Sequence, residues 1–498
     1  MKVPLKTAKF WPTHKLEIVG GNSQVAAQQH SSTKTALPLT LHKTHPWRKS
    51  TMNERDVVLV EGIRTPFAKA GTKLKSVHPA ELGRTAVQQA IAMTNLDVNE
   101  IDEVIIGNTG NPPDAVNIAR VVALRAGVPL KVPAFTVHRN CASALESIAL
   151  SVDKIRAGSA DTIIAGGTES MSQLPILMSP VQTKILEALG SARTGGQRIG
   201  ALMNLLKADM KQIVEMVTTS PLVATANKPR IAVMEGLTDP FVGINMGQTA
   251  EILAKEFNIS RKEQDEFALS SHQKAVAAQK SGRMGEEITP VFLPPKYKDP
   301  VAEDVGPRAE QSLEQLAKLK PFFDKKFGSI TAGNSCPITD GAAAVVLMSR
   351  KKANDLGLKP IAKIRSYAFA GLEPERMGLG PAYSTPIALK RAGLTLKDMG
   401  LIELNEAFAA QVIACIRALN SDEFCKTKLG LSGKLGEIDM NTLNVNGGAI
   451  ALGHPVGATG TRITLTLARE MKKRNVQFGL ATLCIGGGQG GTIVLERE

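Results

Sequence analysis

The residues able to do covalent chemistry are few and far apart. Cys141 stands in Arg139-Asn140-Cys141-Ala142-Ser143-Ala144, where a strand-like run gives way to a helix-like one. At a helix start the unpaired backbone N–H groups and the dipole favour a thiolate, and the residue's own N–H can serve an oxyanion. A small cysteine ahead of a helix is also an ordinary structural residue. A thiol nucleophile requires a base. Beyond residue 51 the histidines are His78, His138, His272 and His454. His454 lies in Gly453-His454-Pro455-Val456-Gly457, a loop that can aim a side chain into a site. His272 falls on a charged run and is predicted to be solvated. His138 is close to Cys141 in sequence, but neighbouring strand positions alternate faces, so it is a fallback. Cys484 ends a strand-like run ahead of Ile485 and three glycines. A second sulfur there could act as acid and base. Asn405, in Asn405-Glu406-Ala407-Phe408, could orient a water or a carbonyl. No CxxC or HxxxH spacing accompanies Cys141, Cys484 and His454, so no metal is expected.

These side chains need elements to hold them. Asp56 to Gly62 and Pro133 to Val137 read as strands, Ala142 to Ala157 as a helix, and Thr162 to Gly167 as a strand leaving through glycines. Leu145, Ile148, Ala149, Val152 and Ile155 share one helical face. The alternation predicts an α/β protein. A weak repeat relates two halves. Glu100-Ile-Asp-Glu-Val-Ile-Ile-Gly-Asn108 follows one helix-like run as Asp398-Met-Gly-Leu-Ile-Glu-Leu-Asn-Glu406 follows another. Each half later ends in a strand feeding glycines, at Gly166-Gly167 and Gly486-Gly487. The halves are separated by a different region, an insertion at roughly 176–320. Within the insertion, Ile199, Leu202, Met203, Leu206, Met210, Ile213, Val214 and Val217 form one stripe. That stripe suits either a core-packed helix or an interfacial or partner-docking one.

Gly486-Gly-Gly-Gln-Gly-Gly491 satisfies GxGxxG, but strand-like Thr492 to Glu496 follows where a dinucleotide site needs a helix, so NAD binding is rejected. These glycines suit a close approach of backbone N–H to a substrate oxygen. The 498 residues carry 60 basic and 46 acidic side chains, a net +14. Half of that excess sits in the first 51 residues, where eight basic residues face Glu17 alone. This acid-poor stretch without an apolar core reads as an organelle transit peptide, a disordered tail, or an extension upstream of Met52. The rest of the charge is spread thinly with few aromatics, which argues against nucleic acid. No run of eighteen apolar residues could span a bilayer. Five widely spaced cysteines argue against a disulfide framework.

Asn140-Cys141-Ala142-Ser143, Gly166-Gly167-Thr168-Glu169-Ser170-Met171-Ser172, Asn405-Glu406-Ala407-Phe408, Gly453-His454-Pro455 and Cys484-Ile485-Gly486-Gly487-Gly488 stand in the order found in thiolases. Met246 to Glu251, Arg261 to Asp265, Leu319 to Phe322 and Gly333 to Gly341 are similar to that family too. The resemblance runs from about Val57 to Glu498. It implies a thiolase-like fold of two duplicated α/β halves in a layered αβαβα core, 52–175 with 321–350 and 351–498, with a coenzyme A-binding loop domain inserted at 176–320. It implies that Cys141 is the nucleophile attacking a 3-ketoacyl-CoA and His454 its base, with Cys484 as acid/base. It further implies that Asn405 holds an oxyanion water and that Gly486 gives an oxyanion N–H. Ser335, Cys336 and Met246 are the implied substrate contacts, although Cys336 stands where the family more often has serine. Coenzyme A is then a co-substrate, and no permanently bound cofactor is expected.

The 75 residues from Met171 to Met246, with Arg193-Thr-Gly-Gly-Gln-Arg198, most resemble the β subunit of the trifunctional complex, a long-chain 3-ketoacyl-CoA thiolase. That likeness implies fatty-acid β-oxidation, a homodimer or larger oligomer, a hydratase/dehydrogenase α subunit, and peripheral membrane contact through 199–217. It also implies a mitochondrial address, at the matrix or inner membrane, or a cytoplasmic one if the leader is no transit peptide. The rival readings are a biosynthetic acetoacetyl-CoA thiolase and a non-catalytic, lipid-binding member of the fold.

Overall fold

The computed structural model describes residues 54–178, 180–201, 203–204 and 230–498. The basic leader at 1–51 and most of the stripe from Ile199 to Val217 lie outside the described residues. Within the described part, Ile199 and Met203 are exposed.

The first half is built from β1 (Val57–Arg64), α1 (Pro79–Thr94), β2 (Glu103–Gly107), α2 (Ile118–Arg125), β3 (Ala134–Val137), α3 (Ser143–Ala157) and β4 (Thr162–Ser170). The chain then passes through the inserted helices α4 (Met246–Glu256) and α5 (Arg261–Lys280) and returns as β5 (Thr339–Ser349). The second half comprises β6 (Ala362–Gly371), α6 (Gly380–Ala392), β7 (Leu401–Leu404), α7 (Ala409–Leu419), α8 (Thr459–Arg474), β8 (Phe478–Ile485) and β9 (Gln489–Arg497).

The hydrogen-bonded strand order is β7-β8-β9-β6-β1-β5-β4-β2-β3. The two halves repeat one pattern. β2 pairs parallel with β4, which pairs antiparallel with β5, and β5 antiparallel with β1. β7, β8, β9 and β6 do the same in turn. Even β3 has a vestigial counterpart, because Leu443 makes a parallel bridge to Ile402 of β7. The half-sheets are joined by a short antiparallel contact, Val58 with Lys363 and Leu59 with Ala362.

Strand alternation sorts the core into layers. Val58 and Val60 pack outward with α1 and α2 residues such as Val87 and Val122. Val57 and Leu59 pack inward with Leu145 and Ile148 of α3, Ile463 and Leu467 of α8, and Leu483 and Ile493 of the second half-sheet. α6 and α7 cover the far side through Leu389 and Val412. The layers are therefore α, β, α, β, α, with α3 and α8 buried in the middle. All five α3 positions expected on one face are buried.

The inserted segment is fastened by charge. Arg64, fully buried at the end of β1, pairs with Glu287 at 2.8 Å and with both oxygens of Asp304 at 2.7 and 2.8 Å. Arg283 joins Glu287 at 3.1 Å to Glu470 of α8 at 2.7 Å. Removing one partner from such a cluster would strand an uncompensated buried charge.

Leu145 meets the second half directly, since a Cβ on Gly460 would lie 2.8 Å from its Cβ and one on Gly491 3.0 Å from its Cδ2. Leu145→Ala is expected to cost about 2–5 kcal/mol, read as a lower midpoint in denaturant unfolding. A cost below about 1 kcal/mol would show that the central layer repacks.

Candidate active site

Cys141 precedes the Ala142 N-cap of α3 and is half-buried. Its sulfur is approached by the N–H of Gly486 and by its own N–H. The loop that supplies Gly486 is fixed from the other side, where Asn140 Nδ2 donates to Gly486 O at 2.7 Å. Asn140 adopts a left-handed φ of 44° to make this turn. The chain between Cys484 and Gly486 is thus bound to the cysteine loop of the other half.

Cys484 ends β8 fully buried, and its sulfur interacts electrostatically with those of Cys141 and Cys336. It packs in a small apolar cluster with Met377, Phe408, Met246 and Cys336. Met246 begins α4, and its Sδ would lie 3.3 Å from a Cβ on Gly486. Cys336 donates its N–H to Ala407 O at 3.0 Å, and Ser335 bridges Phe408. The Ser335 hydroxyl is committed to Thr331 O at 2.7 Å.

His454 is buried. Its backbone bridges Ile338, and its N–H donates to Thr339 Oγ1 at 3.1 Å. Nδ1 lies 2.6 Å from Thr459 Oγ1, while Nε2 has no protein partner. Asn405 follows β7, tied by its N–H to Thr482 O at 2.9 Å. Both polar atoms of its buried side chain also lack protein partners. A buried amide is seldom left in that condition unless it serves a ligand or water.

Burial dominates the electrostatics of these groups. Burial pushes the Cys141 thiol up, against the two N–H groups that pull it down. Burial pushes Cys484 far up, a rise that any thiolate on Cys141 would add to, and burial raises Cys336 to about 12. Burial, with Arg462 adding repulsion, lowers His454 to about 3. The thiolate predicted from the helix dipole is therefore corrected: desolvation outweighs the N–H groups, and the pair rests as thiol and neutral imidazole.

His272 is also corrected. It is buried, and its Nδ1 accepts the Arg308 N–H at 3.2 Å. His138 is exposed. Among the described residues, no group of three or more His, Cys, Asp and Glu side chains could hold a metal ion.

The family model for the thiolase N-terminal domain matches residues 57–351, and that for the thiolase C-terminal domain matches 358–497. The chain belongs to the thiolase family. It is 40% identical over 443 residues to a 3-ketoacyl-CoA thiolase of Yersinia enterocolitica, covering 89% of this chain and 97% of the relative. Among solved structures, human mitochondrial 3-ketoacyl-CoA thiolase in complex with CoA matches with a TM-score of 0.74 and 35% identity, over 89% of this chain and 98% of that one. The acetyl-CoA acetyltransferase of Bacillus anthracis matches with a TM-score of 0.74 and 35% identity, over 89% and 99%.

In this thiolase, two carboxylates that sequence reasoning left without a role act as brackets, Glu169 for backbone N–H groups and Glu406 mainly for side chains. Glu169 accepts N–H groups from Thr109, Gly110 and Gly457, each at 3.0 Å, so it clamps the His454 loop to the end of β4. Glu406 accepts from Ser271 Oγ at 2.6 Å, Asn444 Nδ2 at 2.8 Å and Ile450 N at 3.2 Å. The signal was an acidic residue at or just past a strand end, Glu169 between Thr168 and Ser170 and Glu406 between Asn405 and Ala407, which composition alone does not separate from a solvated one.

Because its pKa is raised, less of Cys141 is ionised at neutral pH than of a free thiol. Its alkylation by iodoacetamide, followed by peptide mass mapping, is expected to keep accelerating through about pH 8.5, the free-thiol value. A plateau reached below that pH would mean a preformed thiolate.

Proposed function

We propose that this thiolase cleaves 3-ketoacyl-CoA with coenzyme A, giving acetyl-CoA and an acyl-CoA two carbons shorter. The observation that carries the reading is the Gly486 N–H donating to the Cys141 sulfur, with buried Cys484 near enough to interact with that sulfur. In the proposed first step Cys141 Sγ attacks the keto carbon while its proton passes to His454 Nε2. The developing oxyanion takes the N–H groups of Cys141 and Gly486. Each such donor is worth about 2.7–4 kcal/mol of barrier. The carbon–carbon bond then breaks, leaving Cys141 as a thioester and acetyl-CoA as an enolate. The enolate oxygen is met by the protonated His454 and by a water on Asn405. Cys484, held as a thiol, gives its proton to the enolate carbon. Coenzyme A next loses its thiol proton to Cys484 and attacks the thioester, and the proton on His454 returns to Cys141 Sγ as it leaves. The apolar neighbourhood of Met246 and Cys336 supports contact with the pantetheine and acyl parts of the substrate, and Ser335 offers only the lone pairs left on its bonded hydroxyl.

The same reading extends to a β-oxidation enzyme of the trifunctional β type. The 75 residues from Met171 to Met246 support it, as do exposed Ile176, Leu177 and Met178 in the inserted region. It carries with it a hydratase/dehydrogenase partner and membrane contact through 199–217. The acid-poor leader supports a mitochondrial address. The edge position of β3 supports a homodimer or larger assembly, because an open edge invites a second strand. A second reading, a biosynthetic acetoacetyl-CoA thiolase, is favoured by the likeness to the Bacillus anthracis acetyltransferase.

Cys141→Ala is expected to abolish acyl-enzyme formation, seen by intact mass after incubation with acetoacetyl-CoA. Cys484→Ala is expected to abolish exchange of the acetyl-CoA α-protons with deuterated water. Normal thiolysis by either variant would sink the mechanism.

Chain length separates the two functional readings. The degradative reading expects kcat/KM for a C16 3-ketoacyl-CoA to exceed that for the C4 substrate by at least tenfold, about 1.4 kcal/mol of barrier difference. The reverse order would favour the biosynthetic enzyme.

A further inference from the structure

We infer that Thr459 is a positioning residue that fixes the tautomer of His454, so that the imidazole presents a bare Nε2 to the nucleophile. This rests on the reading of His454 as the base for Cys141.

The argument is a count of protons around one hydroxyl. Thr459 Oγ1 lies 3.0 Å from Pro455 O and 2.6 Å from His454 Nδ1. A hydroxyl has one proton to give. The carbonyl can only accept, so a hydrogen bond to it uses that proton. The contact with Nδ1 is then attractive only if the ring nitrogen donates. In the opposite arrangement, Oγ1 and Pro455 O would face each other lone pair to lone pair. Nε2 has no protein partner in either arrangement, so the choice rests on Oγ1 and Nδ1. Only the Nδ1–H tautomer makes both contacts attractive, and in a neutral ring that leaves Nε2 as the lone-pair nitrogen.

The other described histidines are wired the opposite way. Nδ1 accepts a backbone N–H from Ala80 in His78, from Asn140 in His138 and from Arg308 in His272. In their neutral forms the proton belongs on Nε2. His454 is the exception among the described residues, and its backbone is separately held by Thr339 Oγ1. Thr459 Oγ1 therefore touches both the ring and the Pro455 carbonyl of the loop, and that carbonyl is held as well by the N–H groups of Ala458 at 2.9 Å and Thr459 at 3.0 Å. It sits at the first position of α8, fully buried, so the hydroxyl cannot exchange its partners for solvent.

The test uses the full chain labelled with ¹⁵N-histidine, with the His454 signals identified by their loss in His454→Asn. The expected result is a protonated Nδ1 and an unprotonated Nε2 for His454. A protonated Nε2 with a bare Nδ1 would overturn the inference. This arm is independent of turnover, so it stands even if the thiolysis reading fails. In the kinetic arm, Thr459→Val is expected to lower kcat about 10- to 100-fold, the usual cost of losing an orienting partner, with KM unchanged. Thr459→Ser, which keeps the hydroxyl, is expected to restore the rate. Full activity in Thr459→Val, or no restoration by serine, would overturn the inference. A wild-type chain that neither turns over nor acylates Cys141 would count against the function reading alone.

Discussion

The two central helices start against each other with no space for a side chain between them. A Cβ on Gly460, near the start of α8, would fall 2.3 Å from the backbone nitrogen of Leu145 in α3. A Cβ on Gly167, in β4, would fall 1.9 Å from the carbonyl oxygen of Gly457 and 2.7 Å from the Cβ of Ala144. Distances that short can be met only by glycine. They bring the loop carrying His454, in one half, onto the helix that follows Cys141, in the other. The central apolar layer of α3 and α8 makes the approach favourable, and the absent side chains make it possible. Everything else at the site is a consequence of how close these two chains come.

Close approach alone would leave several N–H groups without partners, and the buried carboxylates meet that demand. Glu169 gathers N–H groups from both halves, while Glu406 joins the second half to Ser271 of the inserted α5. The duplicated halves have diverged at equivalent places. Asn108 follows β2 as Asn405 follows β7. Asn108 is fully engaged, donating to Thr168 O and Glu169 and accepting from Asn111. The Asn405 side chain has no protein partner. One copy of the asparagine became scaffold, and the other kept its hydrogen-bonding capacity.

Local features of this organisation were legible in the sequence. The α3 stripe, the strands around it and the repeat in strand and helix order follow from periodicity and turn chemistry, which act over a few residues. The ordered motifs also brought Cys141 and Cys484 into one reading across 343 positions. What the sequence concealed was burial without hydrophobicity. The inner face of α5 is made of Gln264, Asp265, Ala268, Ser271, His272 and Ala275, so its charge and small residues suggested a solvated helix. The face is buried because Gly447 and Gly448 pack against Ser271 and Ala275, Asn334 and Ser329 bond Asp265 and Gln264, and Phe267 and Ala268 join the core under α7. The protonation of Cys141 was concealed for the same reason. The dipole of α3 is a local property, whereas the desolvation that outweighs it comes from the whole surrounding fold.

The neutral resting site has a chemical logic. A thiolate paired with imidazolium would hold separated charge among thiols and apolar side chains, where each unit of charge is poorly screened. With Cys141 and Cys484 as thiols and His454 neutral, charge is created only as the proposed substrate reacts. It then appears first on the keto oxygen, against the Cys141 and Gly486 N–H groups already oriented by the fold. Those donors need no reorganisation at that moment, which is the condition under which they stabilise a transition state more than a ground state. Two thiols with raised pKa values also suit a reaction that runs through an enolate and back. Cys484 can surrender its proton to the enolate carbon and recover one from coenzyme A, while Cys141 exchanges its proton with His454, without any resting ion pair having to be broken first.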